Sequence, residues 1–188
     1  LNPTWTVPPT ILSQDILPAV RKNNKYLKEK NITVYDASGA EVDVKQTDWN
    51  NAIVNRYTYR QSSGKHNALG AVKFMFPNPY SVYLHDTPSR NLFDETERAF
   101  SSGCMRVENP IDLATYLLEG QDDWTIEKIT KTINAGTSQS IVLKKQPEVL
   151  IVYFTAWANT DGGVQFRKDI YQRDAKLQKA LWSIRPAE

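Results

Sequence analysis

Val82-Tyr83-Leu84-His85-Asp86-Thr87-Pro88 and, after a polar loop, Ala99-Phe100-Ser101-Ser102-Gly103-Cys104-Met105-Arg106-Val107 contain the chain's only cysteine and one of its two histidines. Residues 80–85 alternate, which predicts a strand with Val82 and Leu84 on one face and Ser81, Tyr83 and His85 on the other. A thiol and an imidazole are the minimum pair for nucleophilic acyl transfer. A free thiol titrates near pH ~8.5, so it needs a base or a cation to be a nucleophile at neutral pH. His85 can take the proton, and Arg106, two residues beyond Cys104, is a permanent cation. Gly103 lets the backbone turn sharply and approach a substrate. The amide N–H groups of Gly103 and Cys104 can be aimed at a carbonyl oxygen, as an oxyanion hole requires. Most free cysteines are buried, inert hydrophobes. Ser101, Ser102, Gly103 and Arg106 make this one's setting polar and flexible instead.

Working outward, residues 1–9 read as extended, because Trp5 and Val7 alternate with threonines and the prolines oppose helix. Residues 14–30 read as a helix capped by Gln14-Asp15, with Pro18 in its first turn. A strand over 32–35, a hairpin return over 41–44 and a helical turn near 49–54 complete a small α/β insertion over residues 12–56. Residues 56–60 and 70–76 alternate as strands, the latter setting Ala71, Lys73 and Met75 against Val72, Phe74 and Phe76. The polar loop from Ser89 carries a helical turn over 94–98. Asn109-Pro110-Ile111-Asp112 is a helix start, with that helix stopping at Gly120. A second helix is predicted over 126–133, strands over 139–144, 149–157 and 164–168, and a last helix over 173–183. Strands in the middle and at the end, with late helices, argue for an α+β fold built on a mostly antiparallel sheet or sandwich.

The 188 residues suit one domain with a small inserted lobe. Its 23 basic and 21 acidic residues leave a net charge of +2, which gives no reason to expect nucleic acid or an anionic membrane as partner. No apolar run approaches the ~20 residues of a membrane span. One cysteine excludes an intrachain disulfide, and no metal-ligand spacing or phosphate loop implies a cofactor. His66, in the polar loop 61–67, reads as a surface residue.

The two quoted stretches resemble the catalytic signature of the L,D-transpeptidases with a YkuD domain. Residues Asn2–Pro9, Asn67-Ala68-Leu69-Gly70 and Phe74-Met75-Phe76-Pro77-Asn78 are similar to the larger YcbB-type branch. Many members carry His before the Gly-Cys, where this chain has Ser102, so His85 stands as the sole base in the motif. The resemblance implies Cys104 as nucleophile and His85 as general base. It implies a 12–56 lobe that caps substrate, a catalytic domain over 1–188 that begins after some upstream strands, and a place in the bacterial periplasm, exported or anchored to the inner membrane; the oligomeric state, taken as a monomer, does not follow from the sequence. It also implies the substrate: peptidoglycan tetrapeptide stems, cleaved before the terminal D-alanine and joined to a diamino-acid amine of a second stem in a 3→3 cross-link. Carbapenems would acylate Cys104.

Four roles stay open at this level. Tyr83 is a half-buried sheet aromatic or a pocket residue. Arg106 binds a substrate carboxylate, tunes the thiolate or holds its loop. Ser102 orients the site or is a small loop residue. The imidazole is oriented by Asp86 or by a neighbouring carbonyl. Two other functions fit the same residues: a thiol hydrolase with water as acceptor (an L,D-carboxypeptidase), and an inactive wall-binding module. The second is the poorer fit, because binding needs no thiol–imidazole pair.

Overall fold

Pro8 and Pro9 end the extended N-terminal segment in a computed structural model that describes residues 1–183. Strand β1 (Trp5–Thr6) leads into a helical run with Pro9 at its start, where a missing N–H costs nothing. The run comprises α1 (Pro9–Ile11), a π-helical turn (Leu12–Ile16) and α2 (Leu17–Lys22). The helix therefore begins five residues before the predicted start at 14, and Pro18 lies inside it. The wide turn immediately before Pro18 absorbs the lost hydrogen bond and the ring's bulk. The predicted continuation to residue 30 is interrupted at Asn23, which is extended and whose side chain accepts from the Lys25 N–H. The short α3 (Tyr26–Glu29) follows, then β2 (Ile32–Tyr35). The hairpin return shrinks to a single bridge between Tyr35 and Glu41. A 3₁₀ turn (Ala52–Arg56) capped by the Asn51 side chain leads to β3 (Thr58–Gln61).

These elements close one core. β3 lies between β1 and β2, antiparallel to both. Its inward Tyr59 packs with Val7, Leu12, Ile16, Leu17, Val20, Leu27, Val34 and Val54. The Tyr59 hydroxyl donates to the Val54 carbonyl, so this buried phenol is satisfied.

The second sheet has the order β4 (Lys73–Phe74), β5 (Leu84–His85), β6 (Met105–Arg106). β4 and β5 are antiparallel, whereas β5 and β6 are parallel, so a crossover must join the last two. That crossover is the loop from Thr87 to Cys104, with its 3₁₀ turn at Arg90–Asp94 rather than at 94–98. The sheet's back packs on two helices, α4 (Pro110–Leu117) and α5 (Ile126–Asn134). Phe74 and Val72 join Ala114, Leu118 and Ile129 there. Alternation then turns Lys73 and His85 to the opposite face. Pro110 opens α4 as read from sequence, but Asn109 before it makes no side-chain cap bond; the Thr125 hydroxyl caps α5.

Buried amides join the two cores. The Asn67 side chain donates to the carbonyls of Pro3 and Ser62 and accepts from the Leu69 N–H. Gln61 donates to Lys30 and His66 carbonyls and accepts from the Ala68 N–H. The Asn2 side chain donates to the carbonyls of Thr132, Ile133 and Thr137 at the end of α5.

The chain divides into two compact units, Leu1–Pro147 and the remainder from Glu148. Within the second, β7 (Ala156–Ala158) and β8 (Val164–Phe166) form an antiparallel hairpin across the predicted turn. Helix α6 (Asp174–Ser183) ends the described residues. The Tyr153 hydroxyl donates to Asp169, and the Tyr153 ring packs on Tyr171 at 4.9 Å between centroids. Residues 149–155, strongly β-prone, are not in a strand, and neither are 139–144. Propensity does not make a strand where no neighbouring edge supplies hydrogen bonds. The fold is thus α+β with mostly antiparallel pairing in several small sheets, as expected. Among the described residues no helix is long and apolar enough to cross a membrane.

Candidate active site

The register of the second sheet determines which side chains meet. Lys73 pairs with His85 and His85 with Arg106, giving one row across the three strands. Two residues back along each strand, Tyr83 and Cys104 share that face, one row away. The Met105 N–H donates to the Tyr83 carbonyl at 3.1 Å and the Val107 N–H to the His85 carbonyl at 2.8 Å, so the motif strands are held side by side. Tyr83 and His85, neighbours by the period of two, meet edge to face at 5.7 Å between ring centroids.

His85 is buried, with only 6 % of its surface exposed. Its Nδ1 lies 2.5 Å from the Asp86 carbonyl oxygen. That contact requires a proton on Nδ1, which leaves Nε2 as the acceptor of the neutral ring. Of the two orienting groups open from sequence, the imidazole meets the backbone carbonyl. Burial pushes His85 below the ordinary histidine value; the Asp86 carbonyl opposes this, and the Arg106 charge adds to it. A neutral imidazole at neutral pH is the form a general base needs.

The Asp86 carboxylate acts on the backbone instead. Oδ2 accepts from the Ala71 N–H at 2.8 Å and Oδ1 from the Thr87 N–H at 2.7 Å, and Arg90 pairs with Oδ1 at 3.0 Å. Arg90 also donates to the Glu108 carbonyl, tying the start of the crossover loop to the segment after β6. Gly70 adopts φ +60°, and a Cβ there would stand 2.3 Å from Asp86 Oδ2. The glycine of the Asn-Ala-Leu-Gly segment therefore makes room for the carboxylate that holds the His85–Asp86 backbone.

Cys104 is partly exposed. The Ser101 hydroxyl donates to the Cys104 carbonyl at 2.5 Å and accepts from the Gly103 N–H at 3.2 Å, closing the tight turn before the nucleophile. Gly103 has φ +143°, a conformation that strains any residue with a side chain. Its N–H is engaged by Ser101, whereas the Cys104 N–H has no partner among the described residues. Ser102 is exposed on the loop, so the serine that shapes the turn is Ser101. Arg106 buries Nε and Nη1 with no hydrogen-bond partner among the described residues. Burial, the charge of the Cys104 sulfur and a hydrogen bond to it push the Tyr83 hydroxyl up to about 12, while a hydrogen bond with Trp5 opposes them. Two residues that sequence reasoning did not attach to the site thus belong to it: Trp5, and Lys73, whose ammonium lies 3.9 Å from the Tyr83 ring centroid. Lys73 was legible only as one polar residue on the alternating strand 70–76; its partner strand was not. His66 is exposed and remote in register from the row. No group of three or more metal-ligating side chains is gathered among the described residues.

The model of the YkuD L,D-transpeptidase catalytic domain matches residues 1–133, which include every residue of this row. The chain belongs to the YkuD L,D-transpeptidase family. It is also similar to a Haemophilus influenzae protein named as a candidate L,D-transpeptidase, with 35% identity over 182 residues. That alignment covers 96% of this chain and 36% of the relative, so the chain spans about a third of the relative's length. His85 ends β5 and Cys104 immediately precedes β6, so the sheet's parallel β5–β6 pair is what brings the two motif stretches together.

Proposed function

We propose that this YkuD domain is the catalytic part of a peptidoglycan L,D-transpeptidase of the YcbB-type branch. The observation that carries the reading is the shared sheet face on which His85, with Nδ1 held by a carbonyl, lies one row from Cys104 and pairs with Arg106, whose Nε and Nη1 are buried without a partner among the described residues. Nε2 of His85 draws the proton from Cys104, and the sulfur attacks the carbonyl between the third residue of a tetrapeptide stem and its terminal D-alanine. The Cys104 N–H donates to the oxyanion, and the two buried Arg106 donors hold the carboxylate of the departing D-alanine. His85 returns the proton to the leaving amine, which leaves a thioester on Cys104. A diamino-acid amine of a second stem then attacks the thioester, giving up its proton to His85, and restores the thiol in forming a 3→3 cross-link. Tyr83 and Trp5 wall the approach to the sulfur, and the 12–56 lobe caps the bound stem. On this reading the protein acts in the bacterial periplasm, where the stems are, and is carbapenem-sensitive.

The test is intact-protein mass after mixing with a carbapenem, followed by product analysis with stem peptides. The expected result is one adduct per chain on the parent and none on Cys104→Ala, with a cross-linked dimer formed from tetrapeptide donor and acceptor. Release of D-alanine with only the hydrolysed tripeptide would replace the transferase with a carboxypeptidase. No adduct on a folded parent would overturn the reading.

A further inference from the structure

The residue row contains two basic side chains, Lys73 and Arg106, one on each side of the imidazole. Arg106 is part of the signature; Lys73 is not, and nothing in the acyl-transfer steps above uses it. Yet Lys73 is the register partner of His85, and its ammonium sits on the Tyr83 ring at 3.9 Å, close enough for a cation–π contact. Tyr83 in turn packs on His85 at 5.7 Å and interacts with the Cys104 sulfur. Lys73 shares neither of the two salt bridges among the described residues, so its charge is not cancelled by a carboxylate ion pair.

We propose that Lys73 is a positioning residue of this site, whose positive charge, seated on Tyr83 and across the register from His85, keeps the resting imidazole neutral, the form that can take the Cys104 proton, and stabilises the negative charge that develops on the sulfur as that proton leaves. The proposal rests on the thiol acyl-transfer reading of the same row. A cation beside the imidazole opposes its protonation at rest, and the same cation attracts the charge that forms on the sulfur when His85 takes its proton. The electrostatics agree in direction. Burial lowers Lys73, the Cys104 sulfur raises it, and Lys73 acts with Arg106 to lower His85. The charged groups facing His85 are Lys73 from β4, Arg106 from β6, and Asp86 from its own segment, of which only Asp86 favours the imidazolium. The Tyr83 ring completes its surroundings.

Lys73→Met keeps the length and apolar stem that pack on Tyr83 and removes only the charge, whereas Lys73→Arg keeps a cation that stacks on an aromatic ring. Imidazole titration followed by NMR, with His66→Gln used to assign the two histidines, is expected to move the His85 midpoint to higher pH in Lys73→Met. Alkylation of Cys104 by iodoacetamide at pH ~7 is expected to slow about threefold to tenfold, the size of one partly screened charge contact. Lys73→Arg should restore both. An unchanged midpoint and alkylation rate in Lys73→Met, or an Arg variant as impaired as the Met variant, would overturn the proposal. If Lys73→Met does not fold, Lys73→Gln is measured against the same two outcomes. Both readouts work without substrate. A parent that takes no carbapenem therefore sinks the transpeptidase reading while the midpoint and alkylation rate still decide the role of Lys73.

Discussion

Gly70→Ala tests whether the Asp86 carboxylate holds the site. The new Cβ would stand 2.3 Å from Oδ2 and 2.4 Å from Cγ of Asp86, far inside any real contact, so the carboxylate must move. The move would take Oδ2 away from the Ala71 N–H, from which it accepts at 2.8 Å. Such a bond is worth about 1.5–3 kcal/mol. The left-handed backbone at φ +60° costs a residue with a side chain about 1–2 kcal/mol more. Losing one bond and adding the strain gives about 3–5 kcal/mol, a large share of the ~5–15 kcal/mol that holds a domain together. For a chain of this size that is a fall in Tm of roughly 6–20 °C. Gly39→Ala is the control: it shares the positive φ, at +85°, but has nothing within 4 Å of the new Cβ, so only the strain is felt. The two variants are compared by thermal unfolding, and by the carbapenem acylation rate at a temperature where both are folded. Gly70→Ala should lose acylation rate beyond its stability deficit, because the Asp86 carbonyl on Nδ1 moves with the carboxylate; Gly39→Ala should acylate like the parent. A Gly70→Ala protein no less stable than Gly39→Ala, with parental acylation, would refute the argument.

Asn67→Ala removes three hydrogen bonds from a fully buried amide that links the N-terminal strand to the loop before β4. The Pro3 and Ser62 carbonyls and the Leu69 N–H are left behind, and urea unfolding should show a loss of about 2–4 kcal/mol. The pH dependence follows from His85, whose folded value is lowered. The unfolded chain binds more protons over the window between the two values, so stability rises with pH there. The contribution is fully present above the ordinary histidine value near ~6.5 and is lost as the pH falls through the lower folded value. Urea midpoints from pH 5 to 8 should show this slope in the parent and a shallower one in His85→Gln. By the same sign, the acid limb of Cys104 acylation should lie below the ordinary histidine value, and a limb at or above it would contradict a desolvated base.

The nucleophile and base were legible because acyl transfer needs rare residue types: one thiol, one imidazole in a motif, and a glycine before the thiol. Alternation over 80–85 also placed Tyr83 beside His85 correctly, since a period of two follows from strand geometry alone. Proline marked the start of α4 for an equally local reason, whereas Asn109 stands at the cap position without a side-chain bond to the helix. Local rules failed where a residue's partner lies far along the chain. Residues 149–154 are β-prone yet in no strand, and Pro18 lies within a helical run that an earlier proline starts.

The sequence by itself thus determined the chemistry on offer and the local shape of its carriers. Only tertiary structure decided which groups act together. The antiparallel pairing of β4 with β5 and the parallel pairing of β5 with β6 bring Lys73, His85 and Arg106 into one row, though 33 residues separate the first from the last. It likewise gave the Asp86 carbonyl the imidazole and the Asp86 carboxylate the backbone of the loop beside Gly70. Register depends on hydrogen bonds between strands, and those partners are fixed by the packing of Val72 and Phe74 on α4 and α5, which no single stretch of sequence contains.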